Sequence, residues 1–437
     1  MKIYLDTIGC RLNQAEIESY SRQFYAAGHI LIPTPEGADL VVVNTCAVTA
    51  AAVSDSRQKI RQAASTSPAE IAVTGCWSTL DPQSAASLPR VSHVIPNPQK
   101  DSLVTDLLHL PQEIFDLEPV RRHAVPGARL RTRAFIKVQD GCDNHCTFCV
   151  TRLARGAGRS RPLEDVLADI RAALRSNPGE GDGHGAQEVV ITGVHLGSWG
   201  ADLPAGLHLR HLVKAILEET DAPRLRLSSL EPWDLEAEFF SLWENPRLCR
   251  HLHLPLQSGC PATLRRMRRK TTPGSFAELV AAARAAIPGV AITTDVIVGF
   301  PGEDEAEFSE SLAFVRQIGF AGGHVFSYSA RPATPAARMH SQVPHELRKE
   351  RSQRMRSVLA EATTSYQSSF LGAVLPVLWE STTALGPHGW RLSGLTDNYL
   401  RVTASAPRQM WNQITPVRLS ALEGDGLRGQ IESPTVE

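Results

Sequence analysis

The sequence contains little that would direct it into a membrane or out of a cell. Its first residues, Met1–Asp6, lack the basic and apolar segments of a secretory signal peptide. No apolar run is long enough to span a bilayer. Cysteine is also scarce, because 8 residues in a chain of 437 are too few for a disulfide scaffold. We therefore expect a cytoplasmic protein with reduced thiols and no membrane partner.

The chain also has no net excess of positive charge. Lys and Arg together number 45 and Asp and Glu 46, so the chain as a whole does not have the charge balance of a polyanion-binding protein. Any nucleic-acid surface must therefore come from local clusters of arginine. Such clusters occur at 121–122, 129–133, 155–161 and 265–270. We expect phosphate contacts there, with solvated helix faces as the alternative.

The cysteines that are present fall mainly into two sets. In the first set, Cys142, Cys146 and Cys149 are separated by three and then two residues. Thiolates this close together are soft ligands that select zinc or an iron–sulfur cluster. A structural zinc site normally closes with four ligands, whereas a [4Fe–4S] cluster on three cysteines leaves one iron open. An open iron can bind and reduce a cofactor, so the spacing favours a chemically active cluster.

The second set consists of three cysteines that are far apart in the chain. Cys10, Cys46 and Cys76 each follow a predicted strand and precede a predicted helix. Alternating strands and helices indicate a parallel sheet, in which the carboxyl ends of the strands lie along one edge. These cysteines should therefore meet in space. A free cysteine is more often a buried small hydrophobe, but three at equivalent positions favour a second cluster.

The pattern of strands and helices divides the chain into three predicted domains. Residues 1–112 are predicted to form a parallel α/β domain, followed by a proline-containing linker over 113–128. Six βα units in 129–358 indicate a partial (β/α)6 barrel, which is open where a full barrel would have eight strands. Short alternating runs broken by Gly and Pro over 370–435 predict a small antiparallel β-barrel.

Four segments at the ends of later strands contain residues suited to binding a ligand. They are Ile191–Gly197, Arg226–Pro232, His251–Gly259 and Val296–Glu303. Glycine lets a ligand approach the backbone closely, and hydroxyl and carboxylate groups can bind ribose and amino-acid groups. Each segment alone also fits an ordinary turn or a helix cap. The two histidines at 251 and 253 are expected to form hydrogen bonds rather than a metal site.

Taken in order, these motifs resemble those of the radical S-adenosylmethionine (SAM) methylthiotransferases, which place a methylthio group on tRNA adenosine or on a ribosomal protein. The motifs that carry the resemblance are Thr7–Asn13, Asn44–Thr49, Thr74–Cys76, Gly141–Cys149, Ser228–Pro232, His253–Gly259, Gly299–Glu303, Phe326–Arg331 and Thr334. The resemblance implies a Rossmann-like N-terminal methylthiotransferase domain, a central radical SAM barrel and a C-terminal TRAM β-barrel that binds RNA. Within the family, Asn44–Thr49, Gly141–Asn144 and Arg155–Arg161 are most similar to the branch that modifies N6-threonylcarbamoyladenosine (t6A) at position 37 of tRNA.

The resemblance also implies cofactors, partners and site residues. Two [4Fe–4S] clusters would be held by the two cysteine sets described above. SAM would be held by Gly193, Ser229, Glu231, Gln257 and Gly299. The anticodon loop of tRNA would be contacted by Arg155, Arg161, Arg269 and Asn398. An electron donor such as a flavodoxin or ferredoxin is implied, together with a sulfur donor that the sequence does not identify.

Several alternatives share parts of this pattern. An enzyme for isopentenyladenosine in tRNA would have the same architecture and differ only in its pocket. An enzyme for an aspartate of a ribosomal protein acts on a different substrate class, which the motifs of the t6A branch disfavour. A non-enzymatic iron–sulfur RNA-binding protein would not need the SAM motifs. Cobalamin-dependent radical enzymes also begin with an α/β domain, but their Asp-x-His-x-x-Gly loop does not occur in the first 130 residues. Arg152–Leu153 and Thr271 depart from the family pattern at positions near the expected substrate.

Overall fold

The computed structural model describes residues 1–111, 115, 132–175, 185–204, 206–385 and 389–432. They form two compact units. Unit 1 comprises Met1–Gly185, Ile191–Leu207 and Arg331–Thr334, and unit 2 comprises Ala186–Val190, His208–Ala330 and Pro335–Glu437. These units do not coincide with the three predicted domains, whose boundaries stay predictions. Most of the predicted linker at 113–128 and the arginines at 121, 122, 129 and 131 lie outside the described residues.

Unit 1 begins with the parallel α/β arrangement that the sequence predicts. Its elements are β1 (Lys2–Thr7), α1 (Arg11–Ala26), β2 (Ile30–Leu31), β3 (Leu40–Thr45), α2 (Ala50–Thr66), β4 (Glu70–Gly75), α3 (Cys76–Leu80), α4 (Pro82–Ala86), β5 (Val91–Val94) and α5 (Leu103–Leu108). The five strands are all parallel, in the order β2-β1-β3-β4-β5.

The central strand β3 explains why this sheet forms. All six of its residues are buried, as expected for a parallel strand that is covered on both faces. Val42 packs with Tyr20 and Phe24 of α1 on one face. Val41 and Val43 pack with Ile60 of α2 on the other. The run of three valines, Val41–Val43, is therefore the sequence signal of a doubly covered strand.

The remainder of unit 1 contains the three-cysteine loop. Its elements are β6 (Arg133–Lys137), β7 (Gln139–Asp140), α6 (Thr151–Arg155), β8 (Arg159–Ser160), α7 (Leu163–Leu174) and the end of β9 (Glu188–Thr192), whose first three residues belong to unit 2. Short strands β7 and β8 pair antiparallel on either side of the loop. The N–H of Val138 donates to the carbonyl of Thr192 at 2.9 Å.

Unit 2 contains the later βα units and the C-terminal barrel. Its elements are α8 (Leu209–Glu219), β10 (Leu225–Leu227), β11 (His251–His253), α9 (Pro261–Arg266), α10 (Pro273–Ala286), β12 (Ala291–Val298), α11 (Glu305–Ile318), β13 (Gly322–Ser327), α12 (His345–Ser368), β14 (Val374–Ala384), β15 (Trp390–Thr396), β16 (Arg401–Ala406), β17 (Ile414–Glu423) and β18 (Gly426–Ile431). Strands β11, β12 and β13 form a parallel sheet. All six strands predicted for the partial barrel are confirmed as β6 and β9–β13.

The C-terminal strands close into the predicted small barrel, in the order β14-β15-β16-β18-β17. The pairs are antiparallel except β16 and β18, which pair in parallel, so the expectation of a purely antiparallel barrel is wrong at this pair. Trp379 and Leu392 are fully buried in its core. In the described part of the chain, no helix is both long and apolar enough to cross a bilayer.

Candidate functional site

The sheet of unit 1 brings Cys10, Cys46 and Cys76 together as predicted. They follow β1, β3 and β4, which are adjacent and parallel, so all three lie at one edge. Gly9 has a φ of 103°, and a Cβ added there would lie 2.6 Å from the Sγ of Cys46. The pKa of Cys46 is raised to about 11, mainly by burial and to a smaller extent by the neighbouring Cys10 and Cys76 thiols. The loops after β1 and β3 are thus in direct contact.

Backbone hydrogen bonds hold the loop that carries the other three cysteines. The N–H of Cys142 donates to the carbonyl of Gly156 at 3.0 Å, and that of Cys149 donates to the carbonyl of Cys146 at 3.1 Å. The N–H of Asn144 points to the Sγ of Cys142 at 3.4 Å. Burial raises the pKa of the Cys149 thiol. The loop therefore presents its sulfur atoms in a partly water-excluded setting.

Both sets fit an iron–sulfur cluster in the chemistry of their donors. Each offers three thiols, and N–H groups point at the sulfur atoms of Cys142 and Cys76, as is usual around iron–sulfur clusters. In the described residues, no three His, Cys, Asp or Glu side chains are arranged to hold a single metal ion. A [4Fe–4S] cluster demands less convergence, because each cysteine binds a different iron.

Gly141 is required by the geometry of the loop entrance. Its φ is 72°, and an added Cβ would lie 1.8 Å from the carbonyl oxygen of Ala157. Gly156 has a similar φ of 76° but open space around its Cα. We expect Gly141→Ala to displace the loop and sharply reduce the iron bound per chain. Gly156→Ala should cost only the backbone strain of a conformation that glycine adopts almost exclusively, about 1–3 kcal/mol. Iron analysis and thermal unfolding of both variants test this, and equal iron content would contradict it.

A buried network of charged side chains adjoins Cys76. The Arg155 guanidinium lies 2.9 Å from Glu16 Oε1 and 3.0 Å from Asp140 Oδ1, and it also donates to Asn13 Oδ1 at 2.7 Å. Lys100 forms ion pairs with both carboxylates. Burial alone would raise the pKa of Glu16, but Arg155 and Lys100 outweigh it and lower that pKa to about 2. The same cations hold the pKa of Asp140 below its usual value despite burial.

The sequence did not reveal this network. Arg155 is only 2% exposed, so the expectation that it contacts RNA is wrong for its side chain. Asn13 lies in a motif that the sequence singled out. Nothing local distinguishes Glu16 or Lys100 from ordinary surface residues, because their partners are distant in the chain.

Gly193 lies beside the three-cysteine loop in unit 1. A Cβ added to Gly193 would lie 3.0 Å from the Cβ of Gln139. Gln139 donates to the carbonyl of Gly141 and accepts from the N–H of His195, both at 2.9 Å. The glycine therefore lets the segment after β9 pack against the residue that precedes the loop.

The other four residues predicted to hold SAM lie in unit 2. Ser229 is exposed and bridges to His253 of β11, and Gln257 bridges to Val296 of β12 with a left-handed φ of 71°. Gly299 has a φ of 70°, and an added Cβ would lie 2.2 Å from Arg348 Cγ, so only glycine fits at this position. Its N–H already donates to Glu303 Oε1 at 2.8 Å.

The remaining predicted RNA contacts are partly corrected by the structure. Arg269 is buried: it pairs with Glu231 at 2.5 Å, donates to the carbonyl of Pro255 and stacks on Trp233. Asn398 is buried too, and its Nδ2 donates to Tyr366 Oη at 3.1 Å. Direct RNA contact by these two side chains is therefore not supported.

Arg161 differs from the other predicted RNA contacts because it is partly exposed. It pairs with Asp169 at 2.8 Å. It stays a candidate for RNA contact.

The two histidines at 251 and 253 form hydrogen bonds as expected. His251 Nε2 lies 2.8 Å and His253 Nδ1 3.0 Å from Thr293 Oγ1. His253 Nε2 also lies 3.3 Å from Asp295 Oδ2, a partner that the sequence did not indicate. Asp295 is on β12 next to β11, so only strand pairing identifies it.

The chain has three parallel strands that are each followed by a cysteine, and then a Cys-x3-Cys-x2-Cys loop and further βα units. This combination defines a radical SAM protein with a second cysteine-bearing region. Comparison with known families agrees. Residues 136–315 match the Radical SAM superfamily, and residues 2–96 match a family described as uncharacterized protein family UPF0004.

Full-length relatives identify the family more narrowly. The chain is 33% identical over 424 residues to the threonylcarbamoyladenosine tRNA methylthiotransferase MtaB of Bacillus subtilis (strain 168), covering 94% of this chain and 92% of that protein. It is 35% identical over 433 residues to MtaB of Thermotoga maritima, covering 97% and 96%. The chain belongs to the MtaB family of radical SAM methylthiotransferases. Membership implies an enzyme that uses SAM and [4Fe–4S] clusters.

Two further comparisons show how far the likeness extends. The tRNA-2-methylthio-N(6)-dimethylallyladenosine synthase of Maricaulis maris is 28% identical over 464 residues, covering 98% of this chain and 97% of that protein. The solved structure of the radical SAM methyltransferase TsrM from Kitasatospora setae, with cobalamin and a [4Fe–4S] cluster bound, has a TM-score of 0.55 and 15% identity, covering 77% of each chain. At that identity, the likeness concerns the fold alone.

Proposed function

We propose that the protein adds a methylthio group to C2 of the adenine of t6A at position 37 of tRNA. The observation that carries this is the placement of two separate sets of three cysteines within one compact unit. One set suits reductive cleavage of SAM, and the other suits a cluster that handles sulfur. The t6A substrate is supported by the names of the MtaB relatives, which match at 33–35% identity over nearly the whole chain.

Cys142, Cys146 and Cys149 would hold the first cluster, and Cys10, Cys46 and Cys76 the second. When bound, a [4Fe–4S] cluster with an open iron supplies the electron that cleaves SAM. The chain's own residues orient and shield these sites. Asn144 donates its N–H to the Cys142 sulfur, and its side chain lies 3.4 Å from both ring nitrogens of the buried His195.

The residues proposed to hold SAM differ in what they offer. Ser229 presents an exposed hydroxyl, and Glu231 is partly exposed although it pairs with Arg269. Gly299 has its N–H occupied by Glu303, so its contribution is the shape of the turn. Gly193 likewise contributes room for the backbone rather than a polar group. Gln257 would offer its side-chain amide to SAM.

For tRNA, we propose phosphate contacts by exposed basic side chains instead of the buried ones. In the cluster at 265–270, Arg265, Arg268 and Lys270 are exposed, whereas Arg269 is internal. Such contacts give affinity without sequence information. An electron donor such as a flavodoxin or ferredoxin, and a cytoplasmic location, complete the proposal.

Nucleoside mass spectrometry tests the substrate. The gene should be expressed in a bacterial strain that lacks its own t6A and isopentenyladenosine methylthiotransferases. We expect 2-methylthio-t6A to appear in bulk tRNA, and a matched strain expressing the Cys146→Ala variant should contain t6A only. Appearance of 2-methylthio-isopentenyladenosine instead would support a second candidate function, methylthiolation of isopentenyladenosine. The similarity to the Maricaulis relative is the observation that favours this candidate.

A further inference from the structure

The Cys76 thiol lies in a polar pocket that an unliganded thiol does not require. Cys76 is 5% exposed, yet Arg155 Nε donates to its Sγ at 3.3 Å and Asn97 Nδ2 approaches it at 3.7 Å. A neutral thiol is a weak hydrogen-bond acceptor, whereas a thiolate is a strong one. The hydrogen bond from Arg155 to the sulfur is therefore much stronger when that sulfur is a thiolate, as it is when it ligates iron.

The ion pairs of Arg155 do not account for its contact with Cys76. Two cations, Arg155 and Lys100, already face two carboxylates, Glu16 and Asp140. The ion pairs use Nη1 of Arg155, and Asn13 takes a hydrogen of Nη2. Nε is therefore the guanidinium nitrogen aimed at the sulfur. Its direction is fixed by the other contacts, so the N–H points at Cys76 without freedom to rotate away.

The same side chain is tied to the loop of the first set. Asp140 accepts from Arg155 and also from the N–H of Gly141 at 2.8 Å, immediately before Cys142. Arg155 ends helix α6, which begins two residues after Cys149. Asn97 donates to the carbonyl of Ala154 at 2.8 Å, which joins the second donor to the same helix. One helix end therefore connects Cys76 to both ends of the three-cysteine loop.

We propose that Arg155 is a positioning residue that sets the reduction potential of the cluster on Cys10, Cys46 and Cys76. This rests on the proposed function, because it assumes that a cluster occupies that set. Hydrogen bonds to the sulfur ligands and nearby positive charge stabilise the more negative, reduced cluster and so raise its potential. Asn97 acts in the same direction, but more weakly because it is neutral and its contact is longer.

The experiment measures the second cluster alone. In the full chain, Cys142, Cys146 and Cys149 are replaced together by alanine, the protein is reconstituted anaerobically, and the cluster is titrated by EPR-monitored redox potentiometry. Into this background we introduce Arg155→Gln, Arg155→Lys and Asn97→Ala. Arg22→Gln serves as the matched control, since Arg22 is an arginine of the same unit whose ion-pair partner is Asp169.

Arg155→Gln should reduce the equilibrium constant for reduction at least about tenfold, which is 59 mV for a one-electron couple. Arg155→Lys, which keeps the charge, should shift the potential less. Asn97→Ala should give a smaller shift of the potential in the same direction. If neither Arg155 variant folds, the potential of the Asn97 variant tests the proposal. Arg22→Gln should leave the potential unchanged.

Two different failures can be told apart. If the triple-alanine protein binds iron but its potential is unchanged in the Arg155 and Asn97 variants, the network is only structural and the proposal is overturned. If the triple-alanine protein binds no iron, the second cluster is not held by Cys10, Cys46 and Cys76. In that case the assignment within the proposed function is wrong, and the role of Arg155 falls with it.

Discussion

Replacing Cys146 by alanine is expected to abolish formation of 5′-deoxyadenosine from SAM. The loop offers three cysteines, and losing one thiolate leaves the cluster without the ligand set that keeps a single iron open. The measurement is chromatographic detection of 5′-deoxyadenosine after incubation of the reconstituted protein with SAM and a chemical reductant. The expected signal is that of SAM and reductant without protein.

Cys260→Ala is the matched control for this prediction. Cys260 is fully buried in unit 2 and belongs to neither cysteine set, so its loss should leave SAM cleavage intact. Undiminished SAM cleavage by the Cys146 variant would contradict the assignment of the loop.

Cys46→Ala should separate the two sets. It removes a thiol of the second set and leaves Cys142, Cys146 and Cys149 in place, so cleavage of SAM should continue. Methylthiolation of tRNA should stop, because the sulfur-handling site is lost. Loss of both reactions would indicate that the two sets depend on each other structurally, and retention of both would exclude Cys46 from the chemistry.

Glu16→Gln is expected to destabilise unit 1 by about 3–5 kcal/mol, the usual cost of removing one partner from a buried ion pair. Both cations of the network, Arg155 and Lys100, would lose a carboxylate in a site without access to water. Hydrogen exchange followed by mass spectrometry on peptides that cover α1 reports the local free energy of opening. The exposed Glu238, which pairs with Arg210 at the surface, provides the control Glu238→Gln, which should change little.

The pH dependence of stability gives an independent check on the same residue. The folded pKa of Glu16 is about 2, below its ordinary value of 4.5. A lowered carboxyl pKa means that the unfolded chain binds the proton more readily. The stabilisation is therefore complete above pH 4.5 and is lost as the pH falls towards 2. It amounts to about 3 kcal/mol. Wild-type protein should lose protection of α1 on acidification more steeply than Glu16→Gln, and parallel pH profiles would contradict the assignment.

The elements that the sequence predicted correctly are those with a strong local pattern. Strand β3 contains the apolar run Leu40–Val43, which indicates burial on both faces. Most of the six later strands are separated by helices, which is the pattern of βα units. Parallel pairing then follows, and it places Cys10, Cys46 and Cys76 at one edge without knowledge of any contact. The three-cysteine loop needs still less, because its spacing is itself the signal. The parallel pair β16 and β18 could not be predicted, since hairpin-like spacing favours antiparallel neighbours.

The errors concern the polar residues of the predicted RNA surface. Basic residues are usually exposed, so a cluster of arginines indicates a phosphate-binding surface. Arg155 is an exception because its carboxylate partner, Glu16, lies 139 positions earlier in the chain. Arg269 is another, since Glu231 and Trp233 come from a different βα unit. Asn398 is buried, and it donates a hydrogen bond to Tyr366 of the long helix α12.

The sequence by itself determined the class of cofactor, the ligands proposed for it and the alternation of strands and helices. These depend on residue type and short-range spacing, which the chain carries locally. Only the tertiary structure decided which charges are internal, because pairing depends on residues that folding brings together from distant positions. It also decided that Cys76 is buried against a guanidinium. That contact changes Arg155 from an expected RNA ligand into a residue that connects the two cysteine sets.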